Sequence, residues 1–317
     1  MATYKEINGT AVQNVAGDPS NPVEGEVWYN SSTASFRLSK GPLVNSWATV
    51  NSMGTARYLL AGAGTQTAAI AFGGAYPEKN ETEIWNGTNW TEVNNLNTAR
   101  WGIAGCGTST AALGFGGTTG PVIAFTETWN GTNWTEVNDL NTARYSLAGV
   151  GTNTAALAFG GTTPPLSALT ELYNGTNWTE VNDLNTARVT LAGVGATNTA
   201  ALGFGGTAPI TGATELWNGT NWTEVNDLNA ARKEVGGAGI NTAALAFGGE
   251  TPGDVRNLTE SWNGTNWTVQ NVLNTARRAL GGAGTNTAAL AFAGNPPAST
   301  ATEEWGEAGG NETITTT

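Results

Sequence analysis

The chain is built on a unit of about 44 residues that occurs six times. An Ala-Arg pair marks each unit, and successive arginines are 43, 44, 44, 44 and 45 residues apart. These arginines are Arg57, Arg100, Arg144, Arg188, Arg232 and Arg277. A second marker, Phe-Gly-Gly, repeats in phase with the first from Phe72 onwards and diverges in the last copy, which begins at Phe292. Self-similarity with this period indicates a repeat architecture such as a solenoid or a propeller.

Each unit reads as four short strands, called A to D here. In the third unit, an Ala/Gly-rich strand A from Leu147 leads through a polar turn to strand B, Ala155–Phe159. A variable loop leads to strand C, Thr170–Tyr173, and the turn at Asn174 and Gly175 reverses the chain into strand D, Trp178–Val181. Asn-Gly between aromatic-bearing strands is a strong hairpin signal. No segment has apolar residues at helical spacing over three turns, so we predict an all-β fold.

Six four-stranded antiparallel units predict a six-bladed β-propeller. The tryptophan that opens strand D also occurs before the first unit, at Trp47, and no such tryptophan follows the last unit, which ends at Trp305. We therefore expect residues 46–50 to complete the last blade and close the ring, whereas an open stack would leave exposed edge strands. The predicted organisation is an N-terminal attachment or hairpin segment at 1–45, the propeller at 46–305 and a flexible C-terminal tail at 306–317.

The composition excludes several classes of function. The 317 residues contain no His and one Cys, Cys106, which excludes His-based catalysis, His-ligated metals and an intrachain disulfide. The 13 Lys and Arg against 25 Asp and Glu give a net charge of −12. This charge argues against a protein that binds duplex nucleic acid by neutralising its phosphates. No apolar run reaches the roughly 18 residues of a membrane helix, and the first residues show no signal-peptide pattern. We expect no enzymatic activity, cofactor, metal, nucleic-acid partner or membrane insertion.

The residues that recur in every unit carry a family resemblance. Phe-Gly-Gly ends strand B, an aromatic residue lies in strand C, Trp opens strand D and Arg precedes strand A. This pattern resembles kelch-type propeller repeats over residues 46–305, although strand A is unusually rich in Ala and Gly and the units are short. In kelch-type adaptor propellers, arginines at the matching position line the ligand-binding mouth. The resemblance implies that role for the six arginines of this chain.

The segment before the repeats has a separate resemblance. Residues 25–30 and 35–38 read as two strands joined by a turn at 31–34. The pattern Pro-x-Glu-Gly-x-x-Trp-Tyr-Asn, within residues 21–50, resembles a short module of bacteriophage tail-fibre and other virion structural proteins. It implies that residues 1–45 attach the propeller to other virion proteins and that the protein is made in a host cytoplasm and located in the virion. The alternative is an ordinary β-hairpin that covers one blade.

The six arginines allow two interpretations. The D–A and B–C loops of a four-stranded meander emerge on the same face, so six guanidinium groups could ring one mouth of the channel and bind anions. Each unit also has a glutamate in strand C, and a structural Arg–Glu pair would explain both residues. These glutamates are Glu83, Glu127, Glu171, Glu215, Glu260 and Glu303.

Two features vary between units, whereas strand D and its turns are nearly identical. They are the B–C loops and the residue after each arginine, which is Tyr58, Trp101, Tyr145, Val189, Lys233 or Arg278. Diversity on one face of a uniform scaffold is typical of a recognition surface, and neutral drift in loops gives the same pattern. The candidate ligand-binding residues are therefore the six arginines together with Tyr58, Trp101, Tyr145, Lys233 and Arg278.

These patterns predict a non-enzymatic, tail-fibre-like virion propeller that recognises a host-cell surface glycan or protein, or that serves particle structure. Two alternatives remain open. The first is an intracellular kelch-type adaptor that binds acidic peptides at the arginine-lined mouth. The second is a repeat scaffold without a ligand, produced by recent duplication or by consensus design.

Overall fold

A computed structural model describes residues 12–20, 26–39, 44–75, 77–207, 209–308 and 311–314. These residues form strands, turns and bends, and the predicted all-β class is confirmed. Because they contain no helix, none of them belongs to a helix long and apolar enough to cross a membrane. Chain contacts divide the protein into two units: residues 47–305, and residues 1–46 together with 306–317.

The larger unit contains six four-stranded antiparallel blades, as predicted. The A strands are Ala61–Thr65, Ala104–Thr108, Ala148–Thr152, Ala192–Thr197, Gly236–Ile240 and Gly281–Gly284. The B strands are Ala68–Phe72, Ala111–Phe115, Ala155–Phe159, Ala200–Phe204, Ala243–Phe247 and Ala289–Phe292. The C strands are Thr82–Trp85, Thr126–Trp129, Thr170–Tyr173, Thr214–Trp217, Thr259–Trp262 and Thr302–Ala308. The D strands are Trp90–Val93, Trp134–Val137, Trp178–Val181, Trp222–Val225, Trp267–Gln270 and, for blade six, Val44–Val50.

The blades form a closed ring. Strand A of each blade lies beside strand A of the next blade, and strand A of blade six lies beside strand A of blade one. The last blade takes its D strand, Val44–Val50, from the start of the repeat region, which confirms the predicted closure. In this blade the ring centroids of Trp47 and Trp305 lie 5.4 Å apart, and the equivalent aromatic pairs of the other blades lie 5.0 to 5.6 Å apart.

A phenylalanine that inserts into the next blade explains why strand A is so rich in glycine. Phe115 ends strand B of blade two, and its ring tip occupies the space that a Cβ atom on Gly149 would fill, because such an atom would lie 2.5 Å from Phe115 Cζ. On its other side Phe115 packs against Trp178, with ring centroids 4.9 Å apart. Every blade interface repeats this arrangement, so the Ala/Gly bias is a packing requirement of the ring.

The indole nitrogens join neighbouring blades through hydrogen bonds. Trp178 at the start of strand D in blade three donates its Nε1–H to Thr126 Oγ1 in strand C of blade two, at 3.2 Å. Trp47 makes the same bond to Thr259 across the closure, at 2.9 Å. A buried indole needs such a partner, and these threonines are fully buried with it.

The C–D turn differs in detail from the predicted two-residue reversal. In blade three it spans four residues, and only Gly175 has a positive φ, of 91°. The Asn174 carboxamide oxygen instead accepts hydrogen bonds from the backbone N–H groups of Thr176 and Asn177, each at 2.9 Å. The repeated Asn therefore acts through its side chain and not through a left-handed backbone.

The described residues of the smaller unit form one four-stranded sheet. Val27–Asn30 and Ser35–Ser39 form the predicted hairpin, and Gln13–Val15 pairs in parallel with the first of them. The tail predicted to be flexible contributes the fourth strand, because Asn311–Ile314 pairs antiparallel with Ser35–Ser39. The β-branched residues Thr313 and Ile314 suit a strand, although the segment has too few apolar residues to predict one. Residues 21–25, which belong to the virion-type pattern, lie outside the described residues.

Candidate functional site at the mouth of the channel

The six repeated arginines are buried ion-pair partners and do not line the mouth. None of them is more than 1% exposed. Each guanidinium faces the strand C glutamate of its own blade, with nitrogen to oxygen distances of 2.7 to 3.1 Å. The pairs are Arg57–Glu83, Arg100–Glu127, Arg144–Glu171, Arg188–Glu215, Arg232–Glu260 and Arg277–Glu303.

Further hydrogen bonds hold each arginine within the scaffold. Arg144 donates to the carbonyl oxygens of Gly160, at 3.0 Å, and Leu169, at 2.6 Å, which are the two ends of the B–C loop. Glu171 in turn accepts the backbone N–H of Asn141 at 2.7 Å. Burial away from water lowers the pKa of all six guanidinium groups, and the attraction of the facing glutamate opposes this shift. Of the two interpretations of these arginines, the structural Arg–Glu pair is the one that this geometry supports.

A closed ring of backbone hydrogen bonds surrounds the mouth, two residues after each arginine. Each member donates its N–H to the carbonyl oxygen of the equivalent residue in the preceding blade, at 2.7 to 2.9 Å. All six members have a left-handed backbone, with φ between 52° and 62°. They are Leu59, Gly102, Ser146, Thr190, Glu234 and Ala279, and we call them the mouth ring. Five of the six are not glycine, so the ring holds a conformation that L-residues rarely adopt.

The mouth ring holds the backbone of the residue before each of its members, which is the residue that varies between units. That residue pairs through its backbone with the B–C loop residue that follows the Phe-Gly-Gly marker in its own blade, as Tyr145 does with Thr162 and Trp101 with Thr118. The D–A and B–C loops therefore do meet on one face, as the meander predicted. The two features that vary between units are joined at the mouth by rigid hydrogen-bonded bridges.

A depression of about 400 Å³ opens at this mouth. Its volume falls within the about 300–1,000 Å³ that is common for small-ligand sites. Apolar and aromatic side chains, hydroxyl groups and two charged side chains line it: Leu59, Trp101, Tyr145, Leu166 and Val189; Ser146, Thr162, Thr190 and Thr207; and Lys233 and Glu234. We call this the mouth depression. Deeper in the channel, a cavity of about 150 Å³ is lined by the mouth ring and by the Leu, Ile, Val, Ala and Gly residues that follow it.

The mouth depression has an aromatic side. Trp101 and Tyr145, from blades two and three, are half-buried and pack edge to face with centroids 5.4 Å apart and an angle of 78° between the rings. Leu166 from the B–C loop of blade three is 40% exposed beside them. An aromatic pair fixed in this way offers a rigid surface for stacking, at little further cost in side-chain entropy.

The opposite side carries a chain of alternating charges. Lys233 Nζ lies 3.6 Å from Glu250 Oε1, and Arg278 contacts the other oxygen of Glu250. Arg278 Nε also lies 3.5 Å from Glu234 Oε2. Two cations and two carboxylates therefore alternate, and the ends of the chain, Lys233 and Glu234, line the mouth depression.

The structure brings together only part of the predicted site. Trp101, Tyr145 and Lys233 share the mouth depression, whereas Tyr58 lies at the equivalent position of blade one outside its lining, and Arg278 reaches it only through Glu234. The sequence analysis did not single out Glu234 or Glu250, although Glu234 is the one charged residue among the six mouth-ring positions. A charged residue at a position that is uncharged in the other five units was the sequence signal that could have pointed to Glu234.

The remaining reactive group is remote from this site. Cys106 lies in strand A of blade two, 5% exposed, and burial raises the pKa of its thiol to about 12. Among the described residues, no three Cys, Asp or Glu side chains converge as metal ligands would. No model of a known protein family and no curated protein matches this chain.

Proposed function

We propose that this propeller is a non-enzymatic recognition module that binds a cell-surface glycan in the mouth depression. One observation carries the proposal: Trp101, Tyr145 and Lys233, which differ between otherwise near-identical blades, line one depression, and the first two form a fixed aromatic pair there. A rigid scaffold with diverse loops on one face is typical of recognition proteins. The absence of His from the sequence and the burial of its single Cys favour binding over catalysis.

The proposed setting is a virion, with the propeller held by residues 1–45. The resemblance of residues 21–50 to tail-fibre modules supports this setting. The hairpin of Val27–Asn30 and Ser35–Ser39 is compatible with a small attachment module. In this setting a host-cell polysaccharide is the natural target, because its repeated sugars let several copies of the propeller bind at once and gain avidity.

The adaptor alternative has less support. An acidic peptide needs accessible cations, but the six repeated arginines are buried and paired with glutamates. Lys233 and Arg278, which directly follow two of these arginines, both contact the carboxylate of Glu250. A peptide carboxylate would have to displace an existing partner and to overcome the net charge of −12.

The test replaces the variable residues with the one that blade four already uses. The triple variant combines Trp101→Val, Tyr145→Val and Lys233→Val. It gives blades two, three and five the valine that blade four has at this position, Val189. Binding of the purified chain to an array of bacterial surface polysaccharides and to whole cells should fall at least about tenfold, with little change in Tm.

The matched control lies at the other end of the propeller. Thr152→Ile, at the end of strand A in blade three, introduces the residue that blade five has at Ile240 and should leave binding unchanged. If the triple variant binds as well as the unaltered protein, or if the unaltered protein binds none of the surfaces, the proposal fails.

A further inference from the structure

The chemistry of the mouth depression narrows the class of glycan, and this step rests on the proposed function. Trp101 presents a half-buried indole that Tyr145 holds in place. The faces of a sugar ring that carry C–H groups are apolar and pack against aromatic rings, while the hydroxyl groups around the ring edge seek hydrogen bonds. The aromatic side therefore suits a pyranose, and the depression is large enough for one or two of them.

Hydroxyl side chains occur next to this aromatic surface. Ser146, Thr162, Thr190 and Thr207 line the depression. A hydroxyl both donates and accepts hydrogen bonds, so it matches the hydroxyl of a sugar in either direction. The hydroxyls of Thr162 and Thr190 already donate to backbone carbonyl oxygens, those of Pro165 at 3.2 Å and Val189 at 2.6 Å. Thr190 Oγ1 also lies 3.3 Å from Thr207 Oγ1, so the capacity left to Thr162 and Thr190 is to accept a bond from a sugar hydroxyl.

The charge balance opposite the aromatic pair selects against charged ligands. The chain Lys233–Glu250–Arg278–Glu234 contains two positive and two negative side chains and is neutral as a whole. An anionic group would repel Glu234 and compete with Glu250 for Lys233. A neutral hydroxyl can accept from Lys233 or donate to Glu234 without breaking an ion pair, and hydrogen bonds to charged groups are stronger than those between neutral ones.

We infer that the mouth depression binds an uncharged oligosaccharide, with one sugar ring stacked on Trp101 and its hydroxyls bonded to Lys233 and Glu234. The net charge of −12 acts in the same direction at long range, since it repels polyanionic glycans. Association of a neutral ligand contains no charge-pairing step, so its affinity is insensitive to ionic strength.

The experiment is calorimetric titration of the full chain with two matched panels. One contains short neutral gluco- and galacto-oligosaccharides, and the other contains the same backbones carrying a uronic or sialic acid, with a polyglutamate peptide alongside. We expect neutral ligands to bind with a Kd that changes less than about twofold between about 50 mM and about 500 mM NaCl. Trp101→Val and Glu234→Ala should each weaken binding at least about tenfold.

Both variants use residues found at the same repeat position, Val189 and Ala279, so the scaffold accepts them. Val269→Ala, on the outer strand of blade five, is the control and should leave the Kd unchanged. Tighter binding of the acidic panel, with strong salt dependence, overturns the neutral-ligand inference and leaves glycan recognition intact. Binding of polyglutamate alone, or no binding by either panel, overturns the inference and glycan recognition together.

Discussion

Arg144 Nη2 lies 2.8 Å from Glu171 Oε1, and neither residue exposes more than 1% of its surface. Arg144 spans the ends of the B–C loop, and Glu171 also holds the D–A linker through the backbone of Asn141. One ion pair therefore fixes both loops that form the mouth of the propeller. Six copies give the variable residues a rigid frame.

The first prediction separates a structural role for this pair from a ligand-binding one. Arg144→Met leaves a buried carboxylate without its cation and should lower the free energy of unfolding by about 3–5 kcal/mol, measured in denaturant. Arg144→Met combined with Glu171→Leu removes both charges and should lose less than the single change. If Arg144→Met left the free energy of unfolding unchanged and weakened ligand binding, the arginines would be ligand-binding residues and not structural ones.

The second prediction concerns the interlock between blades. Gly149→Ala places a methyl group where Phe115 Cζ now lies and should cost about 1–3 kcal/mol through overpacking. Phe115→Leu vacates part of that space, so a double-mutant cycle should show favourable coupling of about 0.5–3 kcal/mol between the two changes. Gly17→Ala is the control, because an added Cβ there meets nothing within 4 Å. Additive effects at Gly149 and Phe115 would contradict the interlock.

The third prediction tests the ring closure. Trp47→Ala and Trp178→Ala remove equivalent side chains from strand D of blades six and three, and each should cost about 3–5 kcal/mol. Strand D of blade three continues from strand C through a short turn, whereas Val44–Val50 is joined to its neighbour Thr302–Ala308 only through the whole ring. Hydrogen exchange should therefore show early opening at 44–50 in Trp47→Ala. Equal protection of the two strands in their respective variants would argue against this closure.

The fourth prediction follows from the raised pKa of the Cys106 thiol, about 12. In the unfolded chain a cysteine thiol has a pKa of about 8.5. Above this pH the unfolded state binds fewer protons than the folded state, so the free energy of unfolding falls as the pH rises. Relative to Cys106→Val, the unaltered protein should lose roughly 2–3 kcal/mol of unfolding free energy between about pH 8 and about pH 10.5. Val150 occupies the same strand A position in blade three, which makes this variant a matched control. A constant difference across this range would show that the thiol ionises equally in both states.

The sequence predicted the blades well because their signals are local and repeated six times. Strands B, C and D of blade three were placed at their observed bounds, and strand A was placed one residue early. Closure through Trp47 was also predictable, since an unpaired strand D marker at one end matches a missing one at the other. The strand Asn311–Ile314 was not, because a short polar segment shows no signal until its partner strand is known.

The candidate site was less predictable. An arginine after a loop looks accessible in sequence, and only the fold shows that its guanidinium turns into the blade towards Glu171. The mouth-ring residues gave no backbone signal, because five of the six are not glycine although all adopt positive φ. Their conformation is imposed by hydrogen bonds from blade to blade, and no local preference accounts for it.

The sequence by itself therefore determined the number of blades, their strand order and the way the ring closes, because each of these depends on periodic local patterns. Only the tertiary structure decided that the arginines belong to the scaffold and that Trp101, Tyr145, Lys233 and Glu234 share one depression. Burial and proximity depend on contacts between residues from different blades. The repeat period brings those residues to equivalent positions but does not specify which side chains point into the mouth.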